Sequence, residues 1–349
     1  MARTDFHRLT VTAVEPLTDD AAAVTFEVPA RLRDTFVFRP GQSLTVRRGS
    51  ERRSYSICAA AGRAPRIGIR EVAGGAVSGW LVRQVRPGDV VEVQAPTGSF
   101  TPDLTAAGQH VLIAAGSGIT PMLSIAASVL QAHPDSTVTL LYGNRRTDTV
   151  MFADEVADLK DAYPARMQLV HVLSREAQEV DLLSGRLDAA KLRHLLPVTS
   201  DVPAVDHWWV CGPLGLVADA LGVLDELGVS RERIHRELFY VGDEPPAEVH
   251  HADADTGPGA AVTVVLDGRA TTITVPPGVP ILDGAQQARA DLPFACKGGV
   301  CGTCRALVTQ GQVTMRRNYA LEDSELAAGY VLTCQSLPVT DAVTVSYDS

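Results

Sequence analysis

The chain has 349 residues, 46% hydrophobic and 21% charged, with a formal net charge of −10 and six cysteines. A chain of this length can bury ordinary cores in two or three domains, its acidic balance argues against a general nucleic-acid binder, and its sparse cysteine excludes a disulfide-stapled mini-scaffold. The N-terminus turns polar within a few residues and no stretch approaches the roughly 18 apolar residues of a membrane helix, so a cytoplasmic protein is expected.

Residues 1–103 alone are basic, at +3, against −6 for 104–240, −5 for 241–260 and −2 for 261–349. From His7 to Phe100 short alternating runs recur (RLTVTAV, AVTFEV, SLTVRR, SYSICAA, PRIGIREV, DVVEVQAP), separated by Pro and Gly turns. This rhythm predicts an antiparallel β-barrel over 1–103. Arg39, Arg47, Arg48, Arg52 and Arg53 gather where a diphosphate could be held, although charge alone reads as a solvated face. In RRSYSICAA, Arg53 suits a diphosphate, Tyr55 can stack on a ring and Ser56 can hydrogen-bond its polar edge, with Ser54 between them. Alone, the same run reads as an ordinary half-buried strand. EVAGGAVSGWL sets Gly74, Gly75 and Ser78, with Val77, at a helical start, a second backbone seat for phosphate.

After Gly108 the rhythm changes. Strand-like runs (HVLIAAG, TVTLLYG, MQLVHVLS, HWWVCGP, RIHRELF) alternate with helical patterns, which predicts an α/β domain with a mainly parallel sheet over 104–240. HVLIAAGSGITPML reads as strand, glycine turn and helix: Gly116, Ser117 and Gly118 let the backbone approach a phosphate, Thr120 is a natural N-cap and Pro121 suits the first helical position. VCGPLG places Cys211, Gly212 and Pro213 at the C-terminal end of a strand, the ligand edge of an open parallel sheet, where a merely buried strand cysteine is the other reading. No acid immediately follows LLYGNRR to grip a ribose 2′-hydroxyl. Arg145, Ser174 and Arg175 suit a 2′-phosphate instead, which favours NADPH over NADH.

Residues 241–260 hold five acids and no Lys or Arg and read as a linker; its His250, His251, Asp253 and Asp255 read as solvated rather than metal-binding. Beyond it, over 261–349, AVTVVLDGRATTITV predicts a hairpin turning at Asp267 and Gly268, followed by a helix near Ile281 to Ala290 and then CKGGVCGTC. Cys296, Cys301, Cys304 and Cys334 are spaced C-x4-C-x2-C-x29-C, the plant-type [2Fe-2S] pattern, whereas structural zinc usually takes two short Cys pairs. Gly298, Gly299 and Gly302 let that loop turn sharply and bring amides close to sulfide. NADH and NADPH deliver two electrons at once and such a cluster takes one, so a flavin is expected between them. The acidic run Glu322, Asp323 and Glu325 is a candidate docking face, though such runs are more often solvated helix surface.

Taken together, Arg53-Ser54-Tyr55-Ser56, Gly75-x-x-Ser78, Gly116 to Pro121, Cys211-Gly212-Pro213 and the C-terminal cysteines resemble the ferredoxin-NADP reductase superfamily with a fused plant-type ferredoxin domain of β-grasp fold. The stretch MRRNYALEDSELAAGYVLTCQSLPVT is similar to the reductase components of phenylacetyl-CoA epoxidases, di-iron multicomponent oxygenases of phenylacetate degradation, and steroid 9α-hydroxylase reductases are close enough to be confused with them. The resemblance implies FAD with Arg53 near its diphosphate, Tyr55 against the isoalloxazine and Ser56 near N5. It further implies a nicotinamide near Cys211 and Gly212, pyridine-nucleotide phosphates over Gly116 to Pro121, and a cluster on the four cysteines. Glu237 and Phe239 match a position that closes over the flavin. Lys297 and Gly302 stand where photosynthetic ferredoxins commonly have Arg and Ser, and Leu216 and Val217 where a Met is frequent. The expected activity is NAD(P)H-dependent electron transfer to an oxygenase. A steroid or aromatic-ring hydroxylase as partner, a flavin and cluster redox sensor without turnover, and a zinc-stabilised module are the competing readings.

Overall fold

The computed structural model describes residues 5–239 and 259–348. The expected linker at 241–260, with its two histidines, lies outside the described residues except for Gly259 and Ala260. The chain divides into two compact units.

The larger unit contains two sheets. Strands β1 (Phe6–Thr18), β2 (Ala21–Glu27), β3 (Ser43–Arg48), β4 (Glu51–Ser56), β5 (Arg66–Arg70) and β6 (Val90–Gln94) form a six-stranded sheet in the order β4-β3-β6-β1-β2-β5. An antiparallel bridge between Ile57 and Ile67 joins its two edges, which closes the expected barrel. Alternation along the strands sends Leu9, Phe26, Leu44, Ile67 and Val93 inward, and helix α1 (Ala76–Arg83) adds Val77 and Leu81 to the same core.

The second sheet comprises β7 (Gln109–Ala115), β8 (Thr137–Asn144), β9 (Met167–Leu173), β10 (His207–Gly212) and β11 (Ile234–Leu238), all pairing in parallel in the order β11-β10-β7-β8-β9. Helices α2 (Ile119–Ala132), α3 (Ala153–Ala162), α4 (Ala189–Thr199) and α5 (Leu214–Glu226) connect these strands. The strand order reverses between β7 and β10, and ligands bind outside the carboxyl ends at such a switch point.

Barrel and parallel sheet share one core, because Ala21, Ala23, Cys58 and Phe100 pack with residues of α2, β7 and β8. Polar contacts pin the seam: Ser124 donates to the Ala59 carbonyl at 2.6 Å, and Arg66 bridges Glu15 at 2.6 Å and Glu155 at 2.9 Å. Burial pushes the Cys58 thiol up to about 12, so this cysteine is an inert core side chain.

In the smaller unit β12 (Ala260–Leu266), β13 (Arg269–Val275), β14 (Arg305–Gln310), β16 (Tyr330–Leu332) and β18 (Ala342–Ser346) form a mixed sheet in the order β13-β12-β18-β14-β16, with β12 and β18 parallel. A two-stranded ribbon pairs β15 (Val313–Met315) with β17 (Ser336–Pro338), and two short helices, α6 (Ile281–Ala285) and α7 (Asp323–Ala327), complete the unit. The hairpin turns at Asp267 and Gly268, both with positive φ, as a two-residue primed turn requires. The helix expected to reach Ala290 is shorter: α6 ends at Ala285, and the chain continues in tighter turns, with the Gln287 amide on Gly284 and the Ala288 amide on Ala285. The Arg289 amide still reaches the Ala285 carbonyl at 2.8 Å, and its side chain forks onto Asp291 at 2.8 and 2.7 Å.

Candidate functional site

Strand β4 presents Arg53, Ser54, Tyr55 and Ser56 in alternation. Arg53 is exposed and donates to the Arg52 carbonyl at 2.7 Å, while Tyr55 leans on the barrel core. The other members of the basic group have protein partners. Arg47 is bidentate on Glu92 at 2.9 and 3.0 Å, Arg48 donates to the Ala76 carbonyl at 2.8 Å, and Arg39 reaches the Pro102 carbonyl at 3.4 Å. Gly75 precedes α1, and Ser78 folds back to accept the Val72 amide at 3.1 Å. A Cβ on Gly75 would lie 2.5 Å from the Ser78 hydroxyl and 2.9 Å from the Val72 carbonyl, so a side chain here would close this turn.

The switch point of the parallel sheet carries the second set. Gly116 to Gly118 wind into a 3-10 turn straight off β7, so α2 starts at Ile119 with Gly118 as its N-cap. Thr120 is therefore not the expected cap. It lies inside the first turn with Pro121, and its hydroxyl donates to the Ser117 carbonyl at 2.8 Å. A Cβ on Gly118 would stand 2.2 Å from the Cys211 carbonyl oxygen, so the glycine turn and the end of β10 can approach this closely only with glycine at 118. Past Gly212 and Pro213, α5 buries Leu216 and Val217.

Three residues from separate elements converge beside this turn. Cys211 on β10 stands opposite Glu237 on β11, and Ser56 of β4 donates to a Glu237 carboxylate oxygen at 3.3 Å. Glu237 as a residue is half-buried, but its carboxyl is enclosed by protein atoms. That burial outweighs the Ser56 hydrogen bond and pushes the acid up from 4.5 to about 7. Burial, and then the Glu237 charge, hold the Cys211 thiol well above its usual range. The Phe239 amide donates to the Gly212 carbonyl at 2.9 Å, tying the segment after β11 to β10.

Arg145, Ser174 and Arg175 close β8 and β9, where the Ser174 amide meets the Asn144 carbonyl at 2.9 Å and the Arg175 amide the Arg145 carbonyl at 2.7 Å. Both arginines are exposed. The neighbouring acids are engaged: Glu176 accepts the Thr147 amide and hydroxyl, each at 2.8 Å, and Asp148 pairs with Arg146 at 3.1 Å.

Two further residues, which the sequence alone did not single out, also sit at the glycine turn. Arg70, at the end of β5, bonds Asp20 at 3.2 Å and the Thr149 carbonyl at 3.0 Å, and its guanidinium would be 3.1 Å from a Cβ at Gly116. Tyr142 on β8 donates to the Gly116 carbonyl at 3.0 Å. The signal for Arg70 was its place at the end of the alternating run PRIGIREV. Nothing local marks a buried strand tyrosine.

In the smaller unit the four cysteines meet as two pairs. The Cys301 thiol faces Cys296 and the Cys304 thiol faces Cys334. The Cys301 hydrogen bond, with amides of the loop, lowers Cys296 to about 6 against the effect of burial. The Gly298 amide donates to Cys296 Sγ at 3.3 Å, and Gln335 donates to Cys334 Sγ at 3.7 Å. Gly299 and Gly302 take positive φ, as the sharp loop requires. Lys297 bonds Asp283 at 2.8 Å and Gln286 at 2.7 Å, anchoring the loop to α6. Among the described residues no group of three or more His, Cys, Asp or Glu converges on a single metal position. Two thiol pairs are the donor set for two irons, each taking two thiolates. In the acidic run Glu322 caps α7, and Glu325 is taken up by the Glu322 amide and by Arg305.

Among the described residues no helix is long and apolar enough to cross a membrane. The model of an oxidoreductase FAD-binding domain matches residues 8–101, that of an oxidoreductase NAD-binding domain 112–221, and that of a 2Fe-2S iron-sulfur cluster binding domain 264–339. The chain is 43% identical over 355 residues to a component of the 1,2-phenylacetyl-CoA epoxidase of Escherichia coli K12, covering 99% of both chains. It is 34% identical to the ferredoxin reductase component of 3-ketosteroid-9-alpha-monooxygenase from Rhodococcus rhodochrous, over 97% of this chain and 96% of that one. Phthalate dioxygenase reductase shares the fold with a TM-score of 0.58 over 98% of each chain, at 23% identity. With an FAD-binding barrel, an NAD-binding parallel sheet and a 2Fe-2S domain in one polypeptide, the chain belongs to the electron-transfer reductases of the ferredoxin-NADP reductase superfamily that carry a C-terminal ferredoxin domain.

Proposed function

We propose that this reductase supplies electrons from NADPH to the oxygenase of a phenylacetyl-CoA epoxidase system. The observation that carries the choice of partner is the 43% identity to a phenylacetyl-CoA epoxidase component across 99% of both chains, against 34% for a steroid monooxygenase reductase. Boundaries near 103, 240 and 260 divide the chain into flavin, nucleotide and cluster parts under this reading. All six cysteines are free thiols, which favours a reducing compartment, and we place the protein in the cytoplasm.

The residues fit their cofactors. Exposed Arg53 and half-buried Ser54 suit an FAD diphosphate; the Gly74 to Ser78 turn with buried Val77 suits a phosphate, and Tyr55 on its half-buried strand suits the flavin ring. Gly116 to Pro121, Arg70 and Gly212-Pro213 suit the nucleotide phosphates, and exposed Arg145 and Arg175 with Ser174 suit a 2′-phosphate, since Glu176 and Asp148 are already engaged. When bound, FAD accepts two electrons together and releases them singly to a one-electron [2Fe-2S] centre. Ser56, Cys211 and Glu237 shape the place where nicotinamide and flavin would meet. Ser56 and Glu237 hold a proton between them, and the neutral Cys211 thiol and Phe239 keep the site compact and dry. Cys296 with Cys301, and Cys304 with Cys334, would hold the two irons.

Reconstitution tests the partner. The chain with NADPH and the catalytic components of the epoxidase should support phenylacetyl-CoA oxidation at a rate well above that with a steroid oxygenase. Transfer to the steroid oxygenase alone would reject the proposal.

A further inference from the structure

Inside the smaller unit a hydrogen-bonded chain ends on the backbone of a cysteine. Thr333, fully buried, precedes Cys334 and bonds the Cys304 carbonyl twice, through its amide at 3.2 Å and its hydroxyl at 3.0 Å. The hydroxyl has one hydrogen, and the Cys304 carbonyl takes it. At 2.7 Å from the Tyr347 hydroxyl, Thr333 must therefore be the acceptor, so the chain runs from Tyr347 through Thr333 to Cys304.

Tyr347 follows β18, and its amide is fixed on the Val265 carbonyl at 2.9 Å. Its ring packs on the core that includes Cys304 and Cys334. Hydrogen bonds in series in a low-dielectric interior polarise one another, so the phenol withdraws electron density from the Cys304 peptide beyond what Thr333 does alone.

We propose that Tyr347 is a positioning residue for the cluster: through Thr333 it polarises the Cys304 backbone and raises the electron affinity of the iron held by Cys304 and Cys334. The inference rests on the four-cysteine cluster reading above. Iron analysis of the unaltered chain separates the two, because wild-type protein without iron defeats the cluster reading before any potential is measured.

The experiment is a dye-mediated redox titration of the full-length protein as purified, followed by visible and electron paramagnetic resonance spectra. Tyr347→Phe should keep two irons per chain and an unshifted flavin potential, while the reduced-to-oxidised ratio of the cluster at a fixed poise falls about threefold to tenfold, tenfold being ~59 mV for one electron. Thr333→Val should fall at least as far, and Thr333→Ser, which keeps the hydroxyl, should stay near wild type. An unchanged ratio in Tyr347→Phe overturns the proposal. So does a Thr333→Ser variant displaced as far as Thr333→Val. Loss of iron from Tyr347→Phe also overturns it, since the hydroxyl is assigned to tuning and not to cluster retention.

Discussion

Ser56, on the barrel, donates its hydroxyl hydrogen to Glu237, on the last strand of the parallel sheet, across 3.3 Å. The two residues are 181 positions apart, and the bond joins the part matched as FAD-binding to the parallel sheet. Because burial raises the Glu237 carboxyl from 4.5 to about 7, the folded protein binds a proton there that the unfolded chain has lost between those values. The stability contributed by the neutral acid is present below pH 4.5 and is lost as pH rises through about 7. Thermal unfolding of wild type and Glu237→Gln across this window should show the wild type losing stability relative to the variant as pH rises. Parallel curves would show that Glu237 titrates normally.

Gly118 admits no side chain without moving the Cys211 backbone, since a Cβ would lie 2.2 Å from its carbonyl oxygen. Gly118→Ala is expected to cost about 1–3 kcal/mol, the range for overpacking a tight site. It should also weaken pyridine-nucleotide binding at the displaced turn. Calorimetry and nucleotide titration check both, and an alanine variant with wild-type unfolding would mean that the two segments separate freely.

Replacing Cys301 with Ser removes one thiolate of the Cys296–Cys301 pair. Iron content should fall and electron flow to the oxygenase should cease, while stopped-flow reduction of the flavin by NADPH persists, because Ser56, Cys211, Glu237 and the glycine turn lie in the other unit. Loss of flavin reduction as well would show that cluster assembly supports the flavin site.

Arg175→Ala should raise the KM for NADPH roughly tenfold, about 1.4 kcal/mol, and leave NADH nearly unchanged. Steady-state kinetics with both nucleotides decides this. An equal loss with each would place Arg175 outside 2′-phosphate recognition.

At the acidic run, Asp323 is exposed whereas Glu322 and Glu325 are half-buried in the α7 cap and against Arg305, so Asp323 is the acid used to probe docking. Asp323→Lys should slow reduction of the oxygenase and flatten its dependence on salt, with a small neutral acceptor unaffected. An unaltered oxygenase rate would remove this face from the docking surface.

The barrel strands, the parallel sheet, the Asp267–Gly268 hairpin and the four-cysteine spacing were all legible in the sequence, because each is local. Period-two alternation, apolar runs between helical patterns, a primed turn and a ligand spacing need only neighbouring residues to declare themselves. What lay beyond reach was decided by packing. Thr120 carries the chemistry of an N-cap, yet the helix already starts at Ile119, two residues before the Pro121 start a Thr120 cap would give, and Thr120 is buried inside the first turn. Arg47 and Arg48 belong to a basic run that suited an anion, and Glu92 and the Ala76 carbonyl occupy them instead. The meeting of Ser56, Cys211 and Glu237, the approach of Arg70 to the glycine turn, and the path from Tyr347 to Cys304 each join residues far apart in the chain. Residue types and local spacing specify which groups are available. Only the tertiary fold, by burying some and pairing others, settles which of them face one another and in what protonation state.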